Sequence, residues 1–594
     1  MGIGRLPLAF ALSMSAFAQP GGLASLKTVT IPQPSNLNQY VRDPAILAAL
    51  GKALFWDVQI GSDGHTACAT CHFHAGADHR QQHQLASPHD STVPVPLNQT
   101  LSLADFPFRK LADPLNNRSP LERDRRQVAG SAGVVYRRFA GISAGNAADD
   151  GLEGAGPAAF SLNGVKVRQV TRRNTPSVIN AVFYVLNFWD GRASNIFTGL
   201  TPFGDSDTEF RLLVDHAGRL ETEPVRMENA SLASQAVGPA LNTVEMSYDG
   251  RTWLKLARKV FGVAPLALQR VAADDSALGA MANPEGNGLL ADFSYAAMVR
   301  AAFAPQYWQS QAPDDEGYSQ LERNFPFFFG LAVQAYEALL VSGDSPFDRF
   351  MEGDRSALTP QQQQGIRVFQ GASECHECHQ GPEFSAASFT NVRGRGQRAT
   401  SLPGVFGFFR TGVSPVAEDS GGDATDSFGM PFFPAARQGQ ARGVFKAPTL
   451  RNVELTGPYF HDGGQATLEQ VVEFYARQGD FPEDGNLGPG MGRIRMNAEE
   501  RAAIVAFMKA LTDDRVRFER APFDHPGLCV PAGHAGTPET LETEDSFSAK
   551  DKWALIPPVG KNGNPVPLQT FEELLLGIGN DGSRAHALNE ACSP

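Results

Sequence analysis

Cys68-Ala69-Thr70-Cys71-His72 places two thiols three positions apart, with an imidazole directly after the second. Cys375-His376-Glu377-Cys378-His379 repeats the arrangement. Cys-x-x-Cys-His is the attachment pattern of a c-type haem. The thiols add across two vinyl groups, and the adjacent His turns its ring onto the iron. Four of the six cysteines fall in these two motifs, so chance is a poor explanation. A zinc site built from two Cys-x-x-Cys pairs would leave the His after each pair unexplained. The expectation is two covalent haems, one on Cys68, Cys71 and His72, the other on Cys375, Cys378 and His379. Iron is then ligated by His72 and His379.

Helical stretches precede both motifs. Leu47, Leu50, Leu54 and Phe55 give residues 38–60 an apolar face that runs into the first. Thr359-Pro360 opens a helix, with Pro at its first position, that reaches the second through Phe369. This repeated layout predicts a mainly α chain of two tandem c-type cytochrome-like haem domains with long irregular insertions. The expected boundaries are an N-terminal haem domain over 19–345, a C-terminal one over 346–515, and a tail over 516–594. One helical piece, Phe571 to Leu576, stands out in that tail. Residues 80–165 are rich in Pro, Gly, Asn and Asp, a long insertion of the kind that is usually functional. His74, His79, His83 and His89 are possible distal iron ligands, although surface or haem-edge positions suit most of them better.

Residues 1–18 hold Arg5, an apolar run from Leu6 to Phe17 and Ala16-Phe17-Ala18, which reads as a secretory signal too short to span a membrane. Export, and so a periplasmic location, agrees with c-type haem attachment and permits a disulfide; Cys529 and Cys592 are the pair left over. A formal net charge of −13 argues against nucleic acid and anionic membranes as partners. No other long apolar run suggests a membrane span.

Arg173-Asn174-Thr175-Pro176-Ser177 and Trp189-Asp190-Gly191-Arg192 resemble pieces of the bacterial di-haem cytochrome c peroxidase/MauG family. So do Lys446-Ala447-Pro448-Thr449-Leu450-Arg451-Asn452 and Thr456-Gly457-Pro458-Tyr459-Phe460-His461-Asp462-Gly463. The resemblance covers roughly 40–75, 170–250 and 320–512. It implies that Trp189 carries electrons between the haems. It also implies a distal pocket over Gln235-Ala236-Val237-Gly238-Pro239 to Glu245. There Gln235, Pro239 and Glu245 stand four and then six residues apart, the family's spacing. A haem that activates peroxide needs an open coordination site and an acid/base group to move a proton between the peroxide oxygens. Glu245 is that group, Gln235 orients the oxidant, and Pro239 shapes the pocket without an N–H. Residues 195–234 separate the Trp and Gln segments, which nearly abut in typical members, so they are expected to alter access to the open haem.

Fourteen residues after His461 stands Tyr475, where the peroxidases carry the Met ligand of their electron-transfer haem and MauG carries Tyr. The surrounding helix is expected to start with a capping box of Thr467 and Gln470 and to stop at Gly479. Leu468, Val471, Val472 and Tyr475 would share one face, which core packing alone would also explain. His461 is assigned to the haem environment rather than to iron. The resemblance further implies a calcium ion held by Asn174, Thr456 and Pro458, with oxygen ligands suited to a hard cation.

The implied activity is reduction of hydrogen peroxide at the first haem, with the second relaying oxidising equivalents to a small redox protein or an organic or protein donor. Two alternatives are a non-enzymatic di-haem electron carrier and a dioxygen-using haem oxygenase acting on an organic substrate.

Overall fold

The computed structural model describes residues 22–594 apart from 89–92, 208, 311, 395–406, 420, 422–441, 483–486, 579–591 and 593–594. The expected signal and His89 lie outside the described residues.

Helix α1 (Pro44–Trp56) starts where the Asp43 carboxylate accepts the N–H groups of Ala45 and Ile46, with Pro44 at the first position. Those donors have no partner inside the helix, so the cap satisfies them. Ten of its residues are buried, Leu47 to Trp56 without a break. Its main partner is α2 (Phe325–Glu337), buried on nearly every side. The two approach backbone to backbone: a Cβ on Gly51 would stand 1.8 Å from the Ala332 carbonyl oxygen.

The second motif has the same support. Helix α3 (Pro360–Phe369) carries a full capping box of Thr359 and Gln362. It packs on α4 (Ala498–Lys509), and there a Cβ on Gly365 would lie 2.2 Å from the Ala503 carbonyl oxygen. Each helix pair has its own core. One is a large cluster around α1 and α2. The other joins Phe347, Phe369, Phe384, Leu468, Val472 and Phe507.

The expectation of a mainly α chain did not include the short antiparallel pairs that run through the connecting segments. In the 80–165 insertion, β1 (Ala132–Val135) pairs with β2 (Arg168–Val170). Within 195–234, β3 (Arg211–His216) and β4 (Arg219–Pro224) form a hairpin. Its turn residues Ala217 and Gly218 both have positive φ, the geometry that matches strand twist in a two-residue turn. The hairpin docks on the start of α2, where Leu213 exchanges hydrogen bonds with the Asn324 carboxamide.

The tail folds back onto the first core. Strands β5 (Leu528–His534) and β6 (Asp551–Ile556) pair, and Val516, Phe523, Leu528, Ile556 and Leu568 join the α1–α2 cluster. Asp524 reaches the buried Lys52 ammonium together with Asp275. Cys529 and Cys592 form a disulfide. The expected helix at Phe571–Leu576 is present. No helix among the described residues is long and apolar enough to cross a membrane.

The Gly51 contact yields a test. Gly51→Ala forces α1 and α2 apart and should cost about 1–3 kcal/mol, the usual range for overpacking. Gly492→Ala, where nothing lies within 4 Å of the added carbon, should change stability by less than about 0.5 kcal/mol. Chemical denaturation midpoints of the two variants beside the parent check both.

Candidate functional site

Each motif histidine is held by a backbone carbonyl. His72 Nδ1 lies 2.8 Å from Gly76 O. His379 Nδ1 lies 3.1 Å from Phe384 O and 3.0 Å from Pro448 O. A carbonyl only accepts, so Nδ1 carries the proton and Nε2 keeps its lone pair, the state an iron ligand requires. Burial pushes both imidazoles below their ordinary value, which also favours the neutral ring. None of the four motif cysteines is paired in a disulfide. Burial raises all of them, Cys71 to about 12 and Cys375 to about 11. The donor set therefore fits two covalently attached haems.

The distal loop is assembled from three sides. Gln235 sits near the end of α5 (Ser231–Ala236), and Pro239 opens a tight turn over Pro239–Leu241. The Asn242 carboxamide oxygen then accepts the N–H groups of Val244 and Glu245, at 2.8 and 3.2 Å. Buried Arg251 donates to the carbonyls of Ala240 and Met246 at the two ends of the loop, and Asp149 of the insertion pairs with it at 3.0 Å. Strand β1 closes the third side. Val134 N–H donates to Val244 O, and a Cβ on Gly133 would lie 2.1 Å from that oxygen.

Glu245 lies within electrostatic reach of both Cys68 and Cys71 and raises their thiols. Burial raises it above the ordinary carboxylate value, and Arg192 opposes that rise. Arg192 stacks 3.7 Å over Phe188 and pairs with Asp190 at 2.8 Å. Gln235 Oε1 is buried and has no hydrogen-bond partner among the described residues. An orphaned carboxamide oxygen costs stability unless something fills the space beside it, so this residue fits a pocket made for a bound group.

Tyr475 lies at the other motif. Its phenol is raised by burial and then by the Cys378 and Cys375 thiols. It is carried by α6 (Leu468–Ala476), whose Thr467 hydroxyl accepts the Gln470 N–H. The expected capping box is only half formed, because the Gln470 side chain accepts from Ala466 N–H instead. Leu468 and Val472 enter the second core, whereas Tyr475 packs its edge on Phe460 and Phe474. Gln478 and Gly479 both take positive φ after the helix, the left-handed stop expected at Gly479.

Trp189 stands where the two parts meet. Its indole donates to Asn174 O at 2.7 Å, and its carbonyl accepts from Lys446 N–H at 2.8 Å. Lys446 is two residues before the carbonyl that holds His379. Its buried ammonium lies 3.7 Å over the Tyr184 ring; burial lowers it to about 7, against the pull of Asp190. His461 stacks on Phe445 at 3.6 Å, meets Trp189 edge-on at 6.2 Å and pairs with Asp419 at 2.8 Å. Asn174 turns its carboxamide to the carbonyls of Pro458 and Phe460, while the Thr456 hydroxyl donates to Val453 O. No group of three or more His, Cys, Asp or Glu among the described residues is arranged for a metal. An ion at Asn174 would therefore rely on amide and carbonyl oxygens, which suit calcium.

Three of the four loose histidines are buried rather than on the surface. His83 uses both ring nitrogens, on Arg168 O and Asn98 N–H. His74 and His79 stack on each other at 3.6 Å.

A family profile described as di-haem cytochrome c peroxidase matches residues 46–113 and 150–356. That span holds the first motif, Trp189 and the whole distal loop. Over those residues the chain resembles the di-haem cytochrome c peroxidase family. Cytochrome c551 peroxidase of Nitrosomonas europaea is 38% identical over 194 residues, 32% of this chain and 45% of that protein. Methylamine utilization protein MauG of Methylorubrum extorquens is 29% identical over 180 residues, 30% of this chain and 42% of that protein. The chain thus spans about half the length of the curated relatives it matches. A solved MauG-like protein associated with microbial copper homeostasis aligns over 83% of this chain and 96% of its own, at 18% identity and a TM-score of 0.41.

Sequence reasoning missed several groups near the motifs. Arg192 was visible in Trp-Asp-Gly-Arg but had no assigned role. Arg80, 3.6 Å from Cys71 Sγ, and Arg251 gave no local signal. Arg451 was read only as part of a family stretch. It is fully buried, bonds Pro382 O through Nε, and makes a two-pronged pair with Asp348 at 2.8 and 2.9 Å.

That pair predicts acid sensitivity. Burial alone would raise the Asp348 carboxyl, but Arg451 and the Ser345 hydroxyl hold it below the usual range. Its contribution is complete above the unfolded value of about 3.9 and is lost as pH falls through the lower folded value. Asp348→Ala should cost about 3–5 kcal/mol at neutral pH by stranding Arg451. It should also flatten the acid limb of the stability curve, read by denaturant titration at stepped pH.

Proposed function

We propose that the chain is an exported di-haem oxidoreductase that reduces hydrogen peroxide at the first motif and passes oxidising equivalents towards the second. In this reading, two cytochrome-like units lie in tandem, with boundaries near 345 and 515. One haem is attached to Cys68 and Cys71 with His72 on iron; the other is attached to Cys375 and Cys378 with His379 and Tyr475 on iron. The observation that carries the reading is the asymmetry between the motifs: a carboxyl that burial raises, Glu245, acts on the thiols of the first, and a phenol that burial raises, Tyr475, feels those of the second.

Bound haem supplies the electrons that break the peroxide O–O bond. The rest is the work of side chains. Gln235 offers a carboxamide to orient the oxidant. Glu245, as a carboxylate, accepts a proton from the inner peroxide oxygen and returns it to the outer one, which leaves as water. Arg192 opposes the rise that burial imposes on that carboxyl. Pro239 brings no N–H to compete for the oxidant. Trp189, fixed at both its indole and its carbonyl, links the two halves. A phenolate on the second iron favours its higher oxidation states, where a thioether would favour the ferrous one. This supports a MauG-like oxidation of an organic or protein donor over simple turnover with a small redox protein. A calcium ion at Asn174, Thr456 and Pro458 would tie the junction together.

Two expectations follow. Glu245→Gln should slow formation of the oxidised state by about 10² to 10⁴-fold with both haem spectra intact. In the parent, the rate should fall as pH drops through the raised Glu245 value, above the ordinary carboxylate range; the variant should lack that limb. Stopped-flow spectroscopy against pH checks both, and a change smaller than about threefold would return Glu245 to the role of a bystander. Tyr475→Phe keeps the ring contacts, so stability should hold, while the second haem should turn high-spin or take up water and rise in potential. Tyr475→Met should yield a readily reduced second haem. Redox titration that finds no shift in Tyr475→Phe would remove the phenol from the iron.

A further inference from the structure

Behind His72, on the side its Nδ1 faces, lies a cluster that the reading above does not use. Trp56 ends α1 and is buried. Its indole N–H donates to the Tyr336 hydroxyl of α2 at 2.9 Å. Its ring stacks on His525 at 4.6 Å, with the planes 6° apart. His525 donates from Nδ1 to Pro526 O at 2.9 Å and meets the buried Glu519 carboxylate through Nε2 at 3.3 Å. Phe55 bridges to the motif, its ring 6.2 Å from His72 and 5.4 Å from Tyr336. His72, Gly76, Trp56, Tyr336, Glu519 and His525 all line one cavity of about 30 Å³, room for a water molecule or two.

Each ring therefore lies within short tunnelling distance of the next, from the iron-binding imidazole outward. Trp and Tyr are the side chains most easily oxidised by one electron. Of the two, the indole fits better. It can lose an electron and keep its proton, whereas the phenol must give its proton up, and burial pushes Tyr336 well above its ordinary value. The oxidised indole would carry positive charge, and it is stacked on an imidazole backed by a carboxylate. In a poorly solvated interior the negative charge of the Glu519 carboxylate behind that ring acts on a cation far more than it would in water.

We propose that Trp56, hydrogen-bonded to Tyr336 and stacked on His525, is a one-electron oxidation site that draws on the first haem from its His72 side, separately from Trp189. The proposal rests on the reading that the first haem reacts with peroxide. In the step, one electron leaves the Trp56 indole for the haem site that peroxide has oxidised by two electrons. No bond forms or breaks. The indole stays protonated on Tyr336 Oη as a cation radical until an external one-electron donor, such as a small aromatic reductant, returns the electron. The site would hold an oxidising equivalent inside the protein when no donor is at hand.

The test uses the full-length holoprotein mixed with hydrogen peroxide without a donor. Stopped-flow absorbance first reports whether the first haem is oxidised; absence of that change defeats the peroxide reading, and the present proposal with it. Given that change, freeze-quench electron paramagnetic resonance should show an organic radical with indole hyperfine structure. It should be lost in Trp56→Phe, retained in Trp189→Phe, and altered in g-values in Tyr336→Phe, which keeps the ring and volume but removes the hydroxyl. Peptide mass mapping of the parent after repeated peroxide additions gives a readout that needs no variant. Oxygenated Trp56 is expected. Haem oxidation with no organic radical, a signal unchanged in Trp56→Phe, or oxygenation confined to the other four tryptophans would overturn the proposal.

Discussion

The hydrogen bond from the Trp189 indole to the Asn174 carbonyl ties together the two residues through which this part of the chain meets the segment 446–461. Asn174 itself donates to His461 O, and three residues on, the Ser177 hydroxyl donates to Ala75 O beside the first motif. On the other side, Trp189 O receives the Lys446 N–H, and Pro448, two residues further, accepts from His379. Backbone groups thus run from one motif imidazole region to the other with one indole between them. Buried backbone polar groups demand partners, and here satisfying that demand also fixes where the Trp189 indole sits.

Much of this was legible in the sequence because it is local. The two Cys-x-x-Cys-His motifs, the Thr359-Pro360 helix start and the tail helix at 571–576 all lie in single short windows. Glu245 stands out in the sequence only because its spacing from Gln235 and Pro239 resembles the family's; an isolated carboxylate there reads as a solvated surface group, whereas in the fold burial raises this one. What was illegible is tertiary. Strand β1 pairs with β2, more than thirty residues on, and strands of three or four residues leave too little alternation to detect. Arg251 acts through carbonyls, which have no sequence signature. The insertion proved to be the roof of the distal loop through Asp149 and Gly133, a role that no composition reveals.

The two motifs differ in how their surroundings are built. Around the second, the packing residues Phe347 to Leu511 come from one continuous stretch, clamped by Arg451 on Asp348. Around the first, the core takes residues from α1, from the distal segment, from α2 and from the tail. Polar clamps in that core are also drawn from afar: Lys52 with Asp275 and Asp524, Arg168 with Asp63 and Asp551, Arg251 with Asp149. Each is a buried charge that would be costly alone and is tolerable only with its partner.

The folded-back tail has a consequence for the order in which the molecule is made. A chain emerging from the ribosome has all of Phe347 to Leu511 before Phe523, His525 and Leu568 appear. The second core can therefore close on itself while the first still lacks one wall. Contacts that span hundreds of residues form slowly, because a long loop must close before they bring any gain. The motif that comes first in the sequence thus belongs to the part completed last, and the space behind His72 stays open to the outside until the tail docks.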